Sequence, residues 1–175
     1  MRLLVAVSVV CAMTVGVFAG QSKGASLDDL KFLVGEWRGE GDGKPGQAAT
    51  GGFSFNFELQ GKVLVRRNFA EYAATQERPA FRHDDLMIVY EDSNGRGLHA
   101  SYYDSEGHTI QYAVAFSPDK RTLTFISDPS RSAPRYRFIF YRQAKDDLLN
   151  FEFDIAPPGN PDAFSKYIDG KAVRK

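Results

Sequence analysis

Residues 53–59 read Phe53-Ser54-Phe55-Asn56-Phe57-Glu58-Leu59, four large apolar side chains separated by single polar ones. Successive side chains of an extended chain point to opposite sides, so this period of two marks a strand with one buried face. The pattern returns along the chain. Ile110, Tyr112, Val114 and Phe116 alternate with Gln111, Ala113 and Ala115. Tyr136, Phe138 and Phe140 repeat it, as do Leu149, Phe151, Phe153 and Ile155 against Asn150, Glu152 and Asp154. Less regular extended segments lie near 36–42, 62–72, 84–91, 97–104, 121–127 and 163–173. Turn signals such as Gln60-Gly61, Ser93-Asn94-Gly95, Glu106-Gly107 and Pro118-Asp119 separate them.

This spacing predicts an all-β fold of about ten antiparallel strands in one domain, residues 26–175. No helix is long enough to serve as a crossover between parallel strands. The exception to the β pattern is Ser26-Leu27-Asp28-Asp29-Leu30-Lys31-Phe32-Leu33, read as one short N-terminal helix. Ser26 is its N-cap, and Asp28 and Asp29 sit where the helix dipole favours carboxylates. Short connections favour a meander over the Greek-key crossings of a sandwich, and closure into an up-and-down barrel removes the exposed edges. Ten strands exceed the eight at which side chains just fill a barrel, so a ligand cavity is expected, with a solid aromatic lumen as the alternative.

The chain has 175 residues, with 22 Lys and Arg against 22 Asp and Glu, and a single cysteine. Arg2, the apolar run Leu3 to Phe18 and the small residues Val17 and Ala19 predict a cleaved signal peptide over residues 1–19, followed by a linker over 20–25. The run is too short for a permanent membrane span, and nothing after residue 20 approaches one. The expected location is therefore secreted or periplasmic. Cleavage near Ala19 removes Cys11, and with it disulfides, thiol nucleophiles and thiolate metal sites. Cys11 as a lipid-bearing cysteine is a poor match, because Val9-Val10 precedes it where Gly or Ala is wanted. A balanced charge with no basic run argues against nucleic acid as a partner.

The segment Phe32-Leu33-Val34-Gly35-Glu36-Trp37-Arg38-Gly39-Glu40-Gly41 carries Gly-x-Trp at the entry to the first strand. It resembles the calycin superfamily of lipocalins and fatty-acid-binding proteins, and within it the ten-stranded nitrobindin-type barrels and their exported bacterial relatives. The resemblance implies that Trp37 packs across the closed end of the barrel. Its implied partner is Arg174, in Gly170-Lys171-Ala172-Val173-Arg174, through a cation–π contact. Nitrobindins bind haem through a histidine near the last strands, but residues 146–175 contain none; His83, His99 and His108 all lie mid-chain.

Several residues are candidates for chemistry. Tyr102-Tyr103-Asp104-Ser105-Glu106-Gly107-His108 reads as a hairpin with Gly107 in the left-handed position. That register sets Asp104 opposite His108 and Ala100 opposite Tyr112. A carboxylate facing an imidazole is the minimum for general acid–base work, and it is equally a pair that holds a turn. His83-Asp84-Asp85 is expected to be a solvated strand entry, since alternation turns Asp84 away from its neighbours; no metal site is expected. In Val63-Leu64-Val65-Arg66-Arg67-Asn68-Phe69, the phase of Val63 and Val65 directs Arg67 inward, as an anchor for a ligand carboxylate or a member of a buried pair. Tyr90, Tyr102, Tyr112 and Tyr136 fall on expected inner faces and suit an amphipathic or aromatic ligand.

No Gly-x-Ser-x-Gly elbow or phosphate-cradling loop is present. The first functional reading is a binding module for a small hydrophobic, amphipathic or aromatic molecule held in the lumen, with no cofactor. Its ligand-contacting residues would be Trp37, Arg67, Tyr90, Tyr102, His108, Tyr112 and Tyr136. The alternatives are a cofactor-free lyase or isomerase on the same barrel, using Tyr102, Tyr112, Arg67 and Asp104, and a haem protein of the nitrobindin kind.

Overall fold

The computed structural model describes residues 25–40, 50–95, 97–145 and 147–175. The expected signal segment with Cys11, the linker as far as Gly24 and residues 41–49 lie outside the described part. A 3-10 helix, Leu27–Leu33, precedes the strands β1 (Gly35–Glu40), β2 (Thr50–Glu58), β3 (Val63–Tyr72), β4 (Phe81–Glu91) and β5 (Leu98–Asp104). These are followed by β6 (Thr109–Phe116), β7 (Thr122–Ser127), β8 (Arg135–Arg142), β9 (Leu148–Ala156) and β10 (Ser165–Arg174). Each strand pairs antiparallel with its sequence neighbours, and β1 pairs with β10, so the sheet is a closed ten-stranded barrel.

The alternation that defined β2 works as expected, with Phe53 and Phe55 buried and facing inward. Inward positions continue across the sheet along the register. One row runs Phe53, Asn68, Asp85, Asp104, and the next runs Phe55, Arg66, Met87, Tyr102, Ile110.

The helix plugs one end. Ser26 donates its backbone N–H to Asp29 Oδ2 at 3.0 Å, closing the N-terminal turn. Leu27, Leu30 and Leu33 are buried against the barrel. The Leu27 N–H donates to Glu91 Oε1 at 2.9 Å, and Lys120 Nζ donates to Asp29 Oδ1 at 2.7 Å, so the helix is tied both to the end of β4 and to the turn before β7.

Trp37 lies beneath this plug, 1% exposed, and its indole N–H donates to Leu33 O at 2.8 Å. The Arg174 guanidinium stacks 4.2 Å from the Trp37 ring, as the sequence resemblance implied, and donates to the carbonyls of Val34 and, at 2.9 Å, Phe32. The glycine of Gly-x-Trp now has a physical cause. Gly35 has φ +122, and a Cβ there would sit 2.8 Å from Arg174 Nη1, so a side chain would be strained and would displace the arginine.

The lumen is not uniform. In the helix-capped half, Phe55 and Phe140 meet across the interior at 5.9 Å, and Phe53 and Phe125 pack on Phe140 at 5.9 and 6.3 Å. That half is packed solid, so the expected cavity does not run the length of the barrel. The other half is packed less tightly. Tyr136, Phe151 and Phe153 are only half-buried there, and Ile168, which shares a face with Phe153, is 42% exposed. The hairpins after β3, β5, β7 and β9 surround this mouth.

Trp37→Ala should destabilise the barrel by about 3–5 kcal/mol, the usual cost of removing a buried aromatic, read as a lower urea midpoint by circular dichroism. Arg174→Lys, which keeps the charge but loses the planar stack and the two-carbonyl fork, should also lower the midpoint, by a smaller amount.

Candidate functional site at the barrel mouth

A charged layer lies between the aromatic plug and the mouth, and it begins with Arg66. Its guanidinium is held 5.2 Å from the Phe53 ring and 5.4 Å from the Phe138 ring, which comes from β8 across the lumen. It donates to Asp85 Oδ1, in an ion pair whose side chains are only 8% and 5% exposed. Such a pair is strengthened when further hydrogen bonds satisfy its remaining polar atoms. Asp85 Oδ2 accepts from Asn68 Nδ2 at 2.7 Å and lies 3.4 Å from His83 Nε2. Arg66 Nε is buried without a hydrogen-bond partner.

The network continues outward through His83. Its Nδ1 is 2.9 Å from Glu106 Oε1, and the Tyr102 hydroxyl lies 3.4 Å from Nε2. That hydroxyl also donates to Asp104 Oδ2 at 3.4 Å. Asp104 Oδ1 accepts from the backbone N–H groups of Glu106 and His108 at 3.0 and 2.9 Å, and Oδ2 lies 2.8 Å from His108 Nδ1. His83, Asp104 and Glu106 each bring one possible metal-ligand atom within 4.8 Å of the others.

Titration follows from these contacts. The Asp85 hydrogen bond pushes His83 up to about 9 against the opposing effect of burial, and Glu106 adds to the rise, so the ring is an imidazolium at neutral pH. Burial pushes the Asp85 carboxyl up, but Arg66, His83 and Asn68 outweigh it and hold it below the usual carboxylate range. Asp104 is likewise raised by burial and held low overall by His108 and the turn amides. Burial, reinforced by Asp85, lifts the Tyr102 and Tyr112 phenols well above their usual range, so both stay protonated.

The structure gathers some of the sequence-predicted residues and separates others. Tyr102 lies in the network, and Tyr112 lies deeper, edge-on to Phe125 at 6.3 Å. Tyr136 faces inward, stacked on Phe153 at 6.0 Å. His108 is exposed at the hairpin but anchored to Asp104, in the register expected, and Gly107 has the expected positive φ of 90. Trp37 is at the opposite, closed end.

Two orientations need correction. Arg67 is exposed on the outer face, paired with Glu58 at 2.8 Å, and Arg66 is the inward arginine. Tyr90 also points outward, stacked on His99 at 6.1 Å, because Met87 and Val89 take the inner face of β4. His83 and Asp85 are not a solvated strand entry but the inward hub of the network; Asp84 alone faces out, bound by Arg82 at 2.9 Å. Arg66, Asn68, His83, Asp85 and Phe138 are thus site residues that the sequence reading missed. Counting the β2–β3 loop as the four residues 59–62 would have found Arg66, since Glu58 then faces Val63 and Phe55 faces Arg66.

The imidazoles do not fit an axial haem ligand. His99 is on the outer face, His108 is exposed, and both ring nitrogens of His83 face carboxylates. No helix among the described residues is long and apolar enough to cross a membrane. No protein-family model matches the chain, and comparison with curated proteins finds no match in sequence.

The pH dependence of stability follows from the two shifts. His83 is raised in the fold, so its contribution is complete below about 6.5 and is lost as pH rises through about 9. Asp85 is lowered, so its contribution is lost as pH falls below the usual carboxylate range. Urea unfolding should show stability falling between roughly pH 6.5 and 9, and His83→Gln should remove that slope. Asp85→Ala leaves Arg66 buried without its counter-ion and should cost on the order of 3–5 kcal/mol at pH 6 by the same measurement.

Proposed function

We propose that the protein is an exported, calycin-like binding barrel, secreted or periplasmic, that holds one small amphipathic or aromatic molecule in the mouth half of its lumen. The observation that carries this reading is the unequal lumen. One half is sealed by packed rings, and the other presents inward aromatic side chains that solvent still reaches, above a buried guanidinium. A concave, largely apolar site with a few polar groups at its base is the usual form of a small-molecule pocket. Tyr136, Phe151 and Phe153 supply flat apolar walls, and the Tyr102 hydroxyl, bonded to Asp104, gives the wall a polar point. Arg66 takes the place assigned to Arg67 in the sequence reading. The apolar leader Leu3 to Phe18 followed by Val17-x-Ala19 supports export. The nitrobindin-type reading loses support, because the imidazoles offer no axial ligand.

A second reading has one observation in its favour. Tyr102, His83 and Asp104 form a chain of proton-bearing groups facing the same pocket, the arrangement a cofactor-free lyase or isomerase would use.

Uptake of 1-anilinonaphthalene-8-sulfonate, an anionic aromatic fluorophore, tests the binding reading. One molecule per chain should bind with enhanced emission, and Phe153→Ala should weaken uptake at least tenfold while Arg67→Ala leaves it unchanged. Absence of uptake by the folded protein, or uptake equal in the Phe153 variant, would sink the proposal. Turnover of an aromatic acid that vanishes in Tyr102→Phe would favour the enzyme reading instead.

A further inference from the structure

The rim of the mouth brings three carboxylates around one imidazole, and backbone contacts hold the turn that carries two of them. The β5–β6 turn is stitched to β4: Ser105 N–H donates to Asp84 O at 2.9 Å, and Asp84 N–H donates to Ser105 Oγ at 3.1 Å. This sets Glu106 beside His83, with Nδ1 2.9 Å from Oε1. Asp104 ends β5 with one oxygen saturated by two turn amides, and its other oxygen faces the same space.

We propose that His83 Nδ1, Asp104 and Glu106 form a binding site for one divalent first-row transition-metal ion of the zinc class. Zinc binds imidazole nitrogen and carboxylate oxygen at about 2.0–2.2 Å, which puts the ligand atoms of a tetrahedral ion about 3.3 Å apart. His83 Nδ1 lies 2.9 Å from Glu106 Oε1, and each of the three residues brings one ligand-capable atom within 4.8 Å of the others, so small side-chain rotations close the site. Three protein ligands leave the fourth position open toward the mouth, where water or a ligand group can bind.

The surroundings of His83 point the same way, independently of the ligand atoms. Its far nitrogen, Nε2, faces the Asp85 carboxylate at 3.4 Å, and Asp85 is itself held by Arg66 and Asn68. A histidine backed by a hydrogen-bonded carboxylate on the nitrogen away from the ion is the recurrent support of metal-ligating imidazoles, because it fixes the tautomer and the ring plane. His108 Nδ1 lies 2.8 Å from Asp104 Oδ2, the oxygen left for the ion, and orients that carboxylate while occupying one of its lone pairs. Charge agrees as well: the Asp85, Asp104 and Glu106 carboxylates gather around one imidazole, and of these Asp85 alone is paired, among the described residues, with a guanidinium, that of Arg66. The imidazole selects against calcium and magnesium, which prefer all-oxygen sites.

The test uses the whole protein, dialysed against a chelator and titrated with zinc chloride by calorimetry, with cobalt(II) as the spectroscopic probe. One zinc per chain should bind, and cobalt should give the intense visible band of a four- or five-coordinate ion. Glu106→Gln lies on an exposed turn and should keep the fold, verified by its melting curve; His83→Gln removes the nitrogen ligand. Each should weaken zinc at least tenfold and abolish the cobalt band, while His99→Ala on the outer face changes neither. The proposal is overturned if the parent protein takes up no stoichiometric zinc. It is equally overturned if folded Glu106→Gln and His83→Gln bind as the parent does, or if calcium binds as tightly. Fluorophore uptake by the lumen is read separately, so either result can stand without the other.

Discussion

A meander of ten strands becomes a barrel only when its first and last strands find each other, and here that seam is short. β1 and β10 share the pairs Trp37↔Arg174, Arg38↔Val173, Gly39↔Ala172 and Glu40↔Lys171. These are the contacts of greatest sequence separation in the fold, so they carry the largest loop-closure cost and need help beyond the ladder itself. Arg174 supplies it. One planar cation stacks on Trp37 and caps the carbonyls of Phe32 and Val34, so it joins the last strand, the first strand and the end of the helix at a single point. Trp37 returns the tie by bonding Leu33. If this joint is removed, the helix loses its seat and the sheet regains two free edges.

With one end sealed in this way, the interior can be graded. The rings around Phe140 fill the closed half, and the first polar side chain above them is Arg66. A guanidinium suits that boundary better than an ammonium would, since its flat, weakly hydrated faces stack on Phe53 and Phe138 while its edge reaches Asp85. The layer above is mutually dependent. Asp85 and Asp104 are directly opposite each other in β4 and β5, a pairing that like charges disfavour. The conflict is resolved by giving each its own partners: Arg66, Asn68 and His83 for the first, the turn amides and His108 for the second. The weakest point is Asp85, whose removal would leave Arg66 buried without its counter-ion.

How far this was legible from the sequence depended on whether a pattern carried its own phase. Phe53 to Leu59 alternates without ambiguity, and the strand count, the closure and the inward Tyr112 and Tyr136 follow from segments like it. The Asp104–His108 hairpin was legible because its turn residues fix the register locally. Val63-Leu64-Val65 did not declare a phase: Leu64 and Val65 are both buried although they face opposite sides, so hydrophobicity could not choose between Arg66 and Arg67. Only the pairing with β2, a long-range fact, decides it. Tyr90 failed for the same reason, since Met87-Ile88-Val89-Tyr90 is apolar throughout. His83 and Asp85 looked solvated because acidic residues after a loop usually are, and what buries them is Arg66 arriving from the neighbouring strand.

The mouth owes its character to the same grading. A barrel with this many aromatic side chains could have filled itself end to end, and in the closed half it does. Toward the mouth, β10 breaks register between Lys166 and Ile168, and a bulge at a barrel rim bends its strand and adds twist. The result is that Ile168 faces Phe153 without covering it, and Tyr167 meets the Phe153 ring only edge-on at 6.3 Å. On the β4 and β5 side, the rim carries the His83, Asp104 and Glu106 side chains, which are held by polar contacts and do not pack as rings do. An irregular apolar wall and a charged one cannot collapse onto each other, because closing them would desolvate carboxylates against rings. The opening is therefore a consequence of which residues line it, and the seam at the far end supplies the stability that lets it exist.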